Sequence, residues 1–326
     1  MSNHKKSLIV ILGPTASGKT ATALRLARDF NGYVISADSR QVYRGLDIGT
    51  AKVRPEQCQT LKVPAGRFAG TEIHVCIVGG IYHFLIDTIT PDREFTLADY
   101  QQEVFRIIRH YDLPETKGKV PFLVGGTGLY ITAVVDHLKI PHSEPDKGLR
   151  SSIEKDIDLN GLNFVYQRLL RLDPDAENVV DPANPRRVIR ALEICLSTGK
   201  PFTKQQQKGP ELFRSLQIGL APTRDVLYER IDRRVDEMRA NGLEQEVREL
   251  AKKYNTKLPA FSGIGYRQLI QAFSGSVSLD KAFSNIKRDS KRYVRRQMTW
   301  WRRDPRIQWL QTGEPIQQAV QKFLQS

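Results

Sequence analysis

Residues 7–20 read SLIVILGPTASGKT, and this stretch decides the fold. Ser7–Leu12 is a mostly apolar run that predicts a buried strand, and Lys19–Phe30 carries apolar or small side chains at helical spacing. Between them, residues 13–20 match the pattern G-x-x-x-x-G-K-[ST]. In this setting the loop turns its backbone N–H groups inward, and the helix N-terminus adds partial positive charge. The sequence therefore predicts a phosphate-binding loop that holds a di- or triphosphate.

The predicted loop offers several kinds of phosphate ligand. Its amides from Ala16 to Thr20 point at the anion, Lys19 neutralises terminal phosphate oxygens, and the Thr20 hydroxyl suits Mg²⁺. A chance match in a glycine-containing turn is the alternative, and the flanking strand and helix argue against it. The residues of the loop are Gly13, Pro14, Thr15, Ala16, Ser17, Gly18, Lys19 and Thr20.

The first 140 residues alternate between short apolar strands and helical stretches. Tyr33–Ser36 and Val120–Val124 predict further strands, and Asp99–His110 predicts a helix whose apolar residues face inward. This alternation is typical of a parallel sheet with helices on both faces. We therefore predict an α/β fold with a parallel sheet of the P-loop NTPase type, flanked by helices.

The sequence changes character at Ser143. Charged residues become frequent, apolar residues follow a helical period, and no further strand is indicated before Leu216–Ala221. Prolines before Ser143 and the pair Gly209-Pro210 border this segment. We predict three segments: a first part of the core at 1–142, an all-helical insertion domain at 143–212, and a return to the core at 213–326, helical to its C-terminus after one strand.

Asp38 follows the strand at Tyr33–Ser36, so a parallel sheet places it at the edge where ligands of such sheets bind. The strand at Val120–Val124 ends instead in Gly125-Gly126, without the carboxylate that many P-loop enzymes use to position Mg²⁺. From the residues alone, we favour a helix N-cap or a group beside hydrated Mg²⁺ for Asp38. The loop does not say whether its phosphate compound is a nucleotide.

The chain of 326 residues has 50 Lys and Arg against 36 Asp and Glu, a formal net charge of +14. Because 40 % of the residues are hydrophobic, it can build a core, which excludes a disordered polyelectrolyte. Half of this net positive charge lies in residues 287–306. This segment has nine basic and two acidic residues, interleaved with Tyr293, Trp300 and Trp301. This basic segment predicts contact with nucleic-acid phosphates, and a merely solvated helix face is the alternative. The tryptophans more often pack in a core than stack on bases.

The three cysteines, Cys58, Cys76 and Cys195, are far apart and form no Cys-x-x-Cys pair. The sequence therefore predicts neither a disulfide framework nor a zinc site, and it fits a reducing cytoplasm. The N-terminal apolar run is too short for a signal peptide, and Ile73–Ile86 is broken by histidines and glycines. We expect no membrane association, and a monomer because no association stripe is evident.

Six blocks of the sequence resemble the tRNA dimethylallyltransferases, also called tRNA isopentenyltransferases. Residues 36–52 read SADSRQVYRGLDIGTAK, which is highly specific to that family. The other blocks follow the family order over nearly the whole chain. They are Gly13–Thr20, Gly125–Tyr130, Asn184–Glu193, Gly263–Arg267 and Arg295–Trp300.

The resemblance implies a prenyl transfer. Dimethylallyl diphosphate would be the donor, and the acceptor would be the exocyclic amine of the adenosine 3′ to the anticodon in tRNAs that read codons beginning with U. Asp38 matches the family's catalytic aspartate, which takes a proton as the poorly nucleophilic amine attacks. Thr127 matches a residue near the acceptor base.

The resemblance also implies how the leaving diphosphate is held. The loop amides, Lys19 and Arg224 would stabilise the charge that develops on it, although an exposed charge at a helix start is the alternative for Arg224. Mg²⁺ would bridge the diphosphate through Thr20 and Ser17.

The expected partner is the anticodon stem-loop of tRNA, with the target base extruded into a pocket. A merely solvated helix face is the alternative for the arginine trio at 186, 187 and 190. The positions that match tRNA-contacting motifs are Ser36, Ala37, Asp38, Ser39, Thr127, Arg150, Arg186, Arg187, Val188, Ile189, Arg190, Ser262, Gly263, Ile264, Gly265, Tyr266, Arg267, Arg295, Arg296, Gln297, Met298, Thr299, Trp300, Trp301 and Arg302.

The sequence departs from the family between Lys52 and His83, where it is longer. The extra piece, Val63–Ile81, includes an alternating run followed by Gly79-Gly80, which predicts an added hairpin. Metal binding is the alternative for the pair His74 and His83, but isolated histidines are usually structural, so the sequence predicts no metal site there.

Two rival functions share part of the pattern. A small-molecule kinase shares the loop, the sheet and a helical lid, but the blocks after Lys19 argue against it. A non-catalytic RNA-binding protein would use the loop only as a structural anion site. Loss of prenyl transfer with retained tRNA binding in an Asp38 variant would separate these functions.

Overall fold

A single sheet forms the centre of the larger part of the structure. The computed structural model describes residues 5–53, 55–62, 70–110, 113–140, 146–205, 207–310 and 314–326. The strands are β1 (Lys6–Leu12), β2 (Gly32–Ala37), β3 (Gln57–Lys62), β4 (Glu72–Val78), β5 (Ile81–Phe84), β6 (Val120–Gly125), β7 (Phe213–Gly219) and β8 (Ile307–Trp309). Within the described residues their order is β3-β4-β5-β2-β6-β1-β7-β8.

Six neighbouring strands, from β5 across β2, β6, β1 and β7 to β8, run parallel. At one edge β3 and β4 add to the sheet in antiparallel pairing. The side chains of Leu8–Leu12 and all of β2 are buried, as in a parallel sheet that helices cover on both faces. The strands predicted at Ser7–Leu12, Tyr33–Ser36 and Val120–Val124 and the α/β fold class are thereby confirmed.

Helices account for most of the rest of the described chain. The predicted helix at Asp99–His110 is present, because a π-helical turn at Arg106–His110 extends the second helix. None of the described helices is long and apolar enough to cross a membrane. The helices are α1 (Lys19–Asp29), α2 (Leu97–Phe105), α3 (Gly128–Val135), α4 (Lys147–Asn160), α5 (Leu162–Leu172), α6 (Pro185–Thr198), α7 (Phe202–Gln205), α8 (Arg224–Ala240), α9 (Leu243–Lys253), α10 (Tyr266–Phe273), α11 (Leu279–Trp301) and α12 (Glu314–Gln325).

The chain folds into two compact units. The first consists of Met1–Val135 and Leu212–Ser326, and it contains the sheet. The second, Asp136–Glu211, packs α4, α5 and α6 around a core that includes Leu169 and Leu192. The first boundary that the sequence suggests for the helical insertion, residue 143, lies outside the described residues.

The C-terminal region contains a strand that the sequence analysis did not predict. After α11, β8 runs parallel to β7, with Gln217 opposite Ile307 and Gly219 opposite Trp309. The expectation of a purely helical C-terminus is therefore wrong at this point. Three residues are too few to show a period of two, and each pairing partner lies 90 residues earlier in the chain.

The expectation about cysteines is also wrong in part. Cys58 on β3 and Cys76 on β4 are directly opposite each other and are joined by a disulfide. The remaining cysteine, Cys195, is free and buried. Their separation of 18 residues gave no motif, because only the register of the two antiparallel strands brings them together.

The added hairpin is present where the structure describes it. β4 and β5 pair in antiparallel fashion around Gly79-Gly80, and both glycines have positive φ, as a two-residue turn requires. β3 pairs with β4 on the other side and forms the sheet edge. Residues 63–69 of the extra piece lie outside the described residues.

Candidate active site

A cavity of about 690 Å³ opens at the carboxyl ends of the parallel strands. The loops that follow β1, β2 and β6 contribute Thr15–Ala21, Asp38–Gln41 and Val124–Thr127 to its lining. Further lining residues come from α8, from α10 and the loop before it, and from α11. The phosphate loop, Asp38 and Thr127 therefore meet in one cavity at the sheet edge where ligands of such folds bind.

The phosphate loop is shaped by close approaches of its backbone. Gly18 has a φ of 91°, in the left-handed region that glycine favours, and it directly precedes α1. A side chain at Gly13 would collide with the carbonyl oxygen of Leu220. The buried Ser17 hydroxyl has no hydrogen-bond partner among the described residues. Since buried polar atoms are normally satisfied, this oxygen is available to a ligand.

Lys19 lies in this cavity with a shifted protonation equilibrium. Its Nζ donates to the Pro14 carbonyl at 2.7 Å. Burial lowers the pKa of Lys19 to about 7; the positive charge of Arg234 acts in the same direction, and the Asp38 carboxylate opposes it. A diphosphate beside Lys19 would favour the charged form of the lysine. The site therefore gains a positive charge when an anion enters.

Two arginines of α8 that the sequence analysis missed reach the phosphate loop. Arg234 donates to Thr15 Oγ1 at 3.0 Å and to the Thr50 carbonyl at 3.3 Å. Its Nε is buried without a partner in the described part of the chain, and Arg230 Nη1 lies 3.5 Å from the Ala16 carbonyl. No motif marks these arginines, because α8 contains many other charged residues.

Arg224, the predicted diphosphate ligand, begins α8 but does not line the cavity. It is exposed, and its guanidinium lies 5.0 Å from the centre of the Tyr228 ring. The structure therefore brings Lys19, Thr20 and the loop amides together without Arg224. Its contact with a diphosphate stays a prediction.

Asp38 and Thr127 lie on one wall of the cavity. Asp38 Oδ1 accepts the Arg40 N–H at 2.8 Å, which forms a turn after β2 rather than a helix N-cap. Thr127 Oγ1 accepts the Ser39 N–H at 3.2 Å. Tyr293 from α11 also hydrogen-bonds Thr127, and burial raises the pKa of Tyr293 to about 12. A carboxylate held in this way can accept a proton from an amine that enters the cavity.

The loop after Asp38 is held by a single carboxylate of α9. Glu246 accepts the N–H of Ile48 at 2.7 Å and that of Gly49 at 3.2 Å. It also accepts the Tyr266 O–H at 2.7 Å. A side chain on Gly49 would collide with the Tyr266 ring, so the close packing requires glycine. The conformation of this loop is therefore set by groups from α9 and α10.

The same loop is fixed at its end by a buried lysine. Lys52 Nζ donates to the Tyr43 carbonyl at 2.9 Å, to Asp47 Oδ1 at 2.7 Å and to Asp87 Oδ1 at 2.5 Å. Its three donors are thus used by three oxygens. Lys52 thereby links two residues of the block at 36–52 to each other and joins the block to Asp87.

Two predicted tRNA contacts on α11 point inward. Gln297 is buried, accepts the Thr15 N–H at 3.1 Å and donates to the Gly126 carbonyl at 2.7 Å. Trp301 is buried in the core, whereas Trp300 is 41 % exposed and packs against Gly128. Gln297 therefore links the phosphate loop to the loop after β6, and the expectation of a core role is confirmed for Trp301.

The basic segment divides into paired and unpaired charges. Lys287 and Lys291 form ion pairs of 2.6 Å with Asp236 and Asp232 of α8. Asp289 accepts from Arg288 at 3.1 Å. Four further arginines make no ion pair with any described residue and are exposed, so they are the free positive charges of this segment. They are Arg295, Arg296, Arg302 and Arg303.

In the second unit, the predicted arginines differ in their surroundings. Arg186 and Arg187 are exposed in the first turn of α6, and Arg190 pairs with the buried Glu193 at 3.0 Å. The side chains of Val188 and Ile189 lie in the core of this unit. These two side chains are not available at the surface of the unit. Of residues 186–190, only the three arginines are. Arg150, in α4, lies 3.5 Å from Glu154.

The predicted tRNA positions outside the second unit differ in their surroundings. Ser36 and Ala37 are buried in β2, whereas Thr299 is exposed on α11 and Met298 packs against the core. Gly265 is the N-cap of α10 and does not line the cavity. Those that do line it are Ser39, Ser262, Gly263, Ile264, Tyr266, Arg267, Arg296 and Gln297.

Comparisons with known proteins show the family to which this chain belongs. The family model described as IPP transferase matches residues 41–304, and that described as isopentenyl transferase matches residues 6–63. A tRNA dimethylallyltransferase of Carboxydothermus hydrogenoformans is 37 % identical over 98 % of this chain and 96 % of its own. The corresponding protein of Bacillus subtilis is 36 % identical over 99 % of this chain and 96 % of its own.

Solved structures give the same result. The tRNA isopentenylpyrophosphate transferase of Bacillus halodurans is 36 % identical, covers 98 % of this chain and 97 % of its own, and superposes with a TM-score of 0.68. A eukaryotic dimethylallyltransferase solved while acting on tRNA is 25 % identical, with a TM-score of 0.73 over 97 % of this chain and 77 % of its own. The chain belongs to the IPP transferase family, the tRNA dimethylallyltransferases.

Proposed function

We propose that this protein transfers the dimethylallyl group of dimethylallyl diphosphate to tRNA. The acceptor is the exocyclic amine of the adenosine 3′ to the anticodon in tRNAs that read codons beginning with U, and the other product is diphosphate. One observation carries the proposal beyond family membership. The phosphate loop and the Asp38–Thr127 wall line the same cavity, so an anion and a nucleophilic amine can be held side by side.

The phosphate loop stabilises the leaving group. As the carbon–oxygen bond breaks, negative charge grows on the diphosphate, and donors aimed at it stabilise the transition state more than the ground state. Lys19 becomes fully protonated beside that charge, and Arg234 adds a buried guanidinium whose Nε is unused by the described residues. Arg230 and Arg234 thus join the loop amides and Lys19 in the role for which the resemblance also named Arg224.

Asp38 removes the proton that the attack releases. The adenine amine is a weak nucleophile because its lone pair is delocalised into the ring. A carboxylate beside it accepts a proton as the carbon–nitrogen bond forms. The Asp38 side chain is held by the Arg40 N–H, and Thr127 lies beside it through the Ser39 N–H. We assign Asp38 as the general base and Thr127 as a contact to the acceptor base.

The hydroxyls of the loop suit Mg²⁺. Thr20 lines the cavity, and the Ser17 hydroxyl is buried with no partner among the described residues. Oxygen donors of this kind, together with phosphate oxygens, are what Mg²⁺ prefers. When bound, Mg²⁺ would neutralise part of the diphosphate charge, and Thr20 and Ser17 are the residues that would hold it.

The free arginines of α11 and the segment after it form part of the proposed tRNA surface. Arg295, Arg296, Arg302 and Arg303 are exposed and carry charge that no described acidic residue neutralises. Arg186 and Arg187 offer similar charges on the second unit. Phosphate contacts of this kind supply affinity that depends on salt. We further propose that the protein acts in the cytoplasm as a monomer.

The test is incubation of the purified protein with dimethylallyl diphosphate, Mg²⁺ and unmodified tRNA, followed by mass analysis of the nucleosides. We expect a five-carbon addition to one adenosine next to the anticodon, and none when the diphosphate is omitted. A parallel reaction with radioactive ATP and candidate small acceptors tests for a kinase. Phosphate transfer without prenylation would overturn the proposal.

A further inference from the structure

The paired strands β3 and β4 carry a cluster of metal-ligating side chains outside the active-site cavity. Cys58 Sγ, Cys76 Sγ and a ring nitrogen of His74 all lie within 4.8 Å of one another. None of these residues lines the cavity that contains Asp38. The chemistry of the active site therefore gives no reason for these three side chains to lie together.

Strand geometry explains how the cluster forms. His74 and Cys76 are two positions apart on β4, so they project from the same face of the sheet. Cys58 is directly opposite Cys76 on β3, which places it on that face too. Three ligands on one face of two paired strands need no irregular loop, and the rigid strands hold their spacing.

The histidine of the cluster lacks ordinary hydrogen bonds. His74 Nδ1 is buried without a partner among the described residues, and Nε2 has only the Cys76 sulfur at 3.5 Å. The ring therefore has nitrogen atoms that no oxygen or backbone group of the described residues occupies, so one of them can bind a metal ion. A separation of 3.5 Å between nitrogen and sulfur is close to that of two ligands on one tetrahedral zinc.

We propose that the reduced protein binds one Zn²⁺ through Cys58, His74 and Cys76, and that the disulfide is the metal-free, oxidised state of the same site. A dithiol reductant supplies two electrons and two protons, which convert the disulfide to two thiols while the reductant becomes a disulfide. Both thiols then release their protons to solvent as their sulfurs bind the metal. Two thiolates balance the charge of Zn²⁺, and because Cys58 is exposed, water can occupy the fourth position.

A bound metal and the disulfide would stabilise the same pair of strands. Either one joins β3 to β4 at the edge of the sheet, where strands are otherwise held on one side only. In a reducing compartment, where disulfides are rare, the metal would replace the covalent bond. The site would thus keep β3 joined to β4 under both conditions.

Cobalt titration of the full-length protein tests the proposal. The protein is reduced with excess phosphine, freed of metal by a chelator, exchanged into chelator-free buffer and titrated with Co²⁺ without oxygen. We expect one Co²⁺ per chain, with thiolate charge-transfer bands and the visible bands of a tetrahedral site, and displacement by Zn²⁺. The oxidised protein should show none of these bands. His74→Ala should weaken Zn²⁺ binding by more than about tenfold, since even groups outside the coordination sphere have effects of that size.

The matched control is Cys195→Ser, which removes the buried free thiol and should leave the spectrum unchanged. Circular dichroism of metal-free Cys58→Ser and Cys76→Ser separates loss of the fold from loss of a ligand. No thiolate band in the reduced wild-type protein would overturn the proposal, as would unchanged binding in the variant that lacks both Cys58 and Cys76. The readout does not use prenyl transfer, so the two proposals fail independently.

Discussion

The loop at residues 41–52 and the phosphate loop at residues 13–20 differ in how their polar groups are satisfied. In the first, Lys52 uses all three of its donors, and Glu246 accepts from backbone N–H groups and from a tyrosine. In the second, the Ser17 hydroxyl is buried without a partner in the described chain. Both regions contribute to the lining of one cavity.

We call the loop at residues 41–52 the frame of the site, because its polar groups are already hydrogen-bonded. We call the phosphate loop the contacts, because its free polar groups can bind a ligand. A satisfied network is rigid, and removal of one member leaves buried groups without partners, which costs stability. Unsatisfied groups cost stability while the site is empty and gain partners when a ligand enters. Variants of the frame should therefore change the free energy of unfolding, and variants of the contacts should change catalysis and binding.

Asp38→Asn should have the largest effect, and it should be on catalysis. Asparagine can still accept the Arg40 N–H through its amide oxygen, but it cannot take a proton. We expect kcat to fall by about 10²- to 10⁴-fold, with tRNA affinity and the free energy of unfolding nearly unchanged. Single-turnover prenylation and filter binding measure the two parts. Asp225→Asn, an exposed change in the first turn of α8, is the control, and equal rates for the two variants would remove Asp38 from the mechanism.

Lys52→Met should be the most destabilising of these changes. It keeps the volume of the side chain but leaves Asp47 and the partly buried Asp87 without their cation. Breaking a buried ion pair in this way costs about 3 kcal/mol or more. Urea unfolding measures the effect. Lys287→Met removes an ion pair of similar length at the surface and should cost less than about 1 kcal/mol; similar costs would show that the loop is not a frame.

The parts of the fold that could be predicted from sequence are those with a local signal. The phosphate loop is a contiguous pattern between a strand and a helix, so its place at the cavity followed directly. β8 and the Cys58–Cys76 disulfide could not be predicted, because each depends on pairing with a strand elsewhere in the chain. Local patterns do not encode that register.

The site shows the same limit. Lys19 and Thr127 lie in short motifs, and the structure brings both to the cavity. Arg234 lies in none, and only the direction of its side chain distinguishes it from the other arginines of α8. Gln297 stands in a block that matches RNA contacts, yet it holds two loops together. A matched motif therefore indicates that a residue matters without showing what it touches.

The pKa of Lys19 makes donor binding depend on pH. In the free protein this pKa is about 7, so above pH 7 most molecules have a neutral Lys19. Because a bound diphosphate stabilises the charged form, binding takes up a proton, and affinity should fall by up to about tenfold per pH unit between pH 7.5 and 9. Calorimetry in two buffers with different ionisation enthalpies should show uptake of nearly one proton. Lys19→Met should abolish this uptake, and a wild-type protein without it would show that the lysine is already charged.

The smallest effect is expected from charges on α11, and it separates free from paired cations. If Arg295 and Arg296 contact tRNA phosphates, Arg295→Gln with Arg296→Gln should lower the slope of log affinity against log salt concentration by about one to two. Lys287→Gln with Lys291→Gln removes the same charge from ion pairs with Asp236 and Asp232. Those lysines are already neutralised by their partners, so the second variant should leave the slope nearly unchanged. Filter binding across a salt series measures both slopes. Equal slopes for the two double variants would mean that net charge, rather than unpaired arginines, governs tRNA affinity.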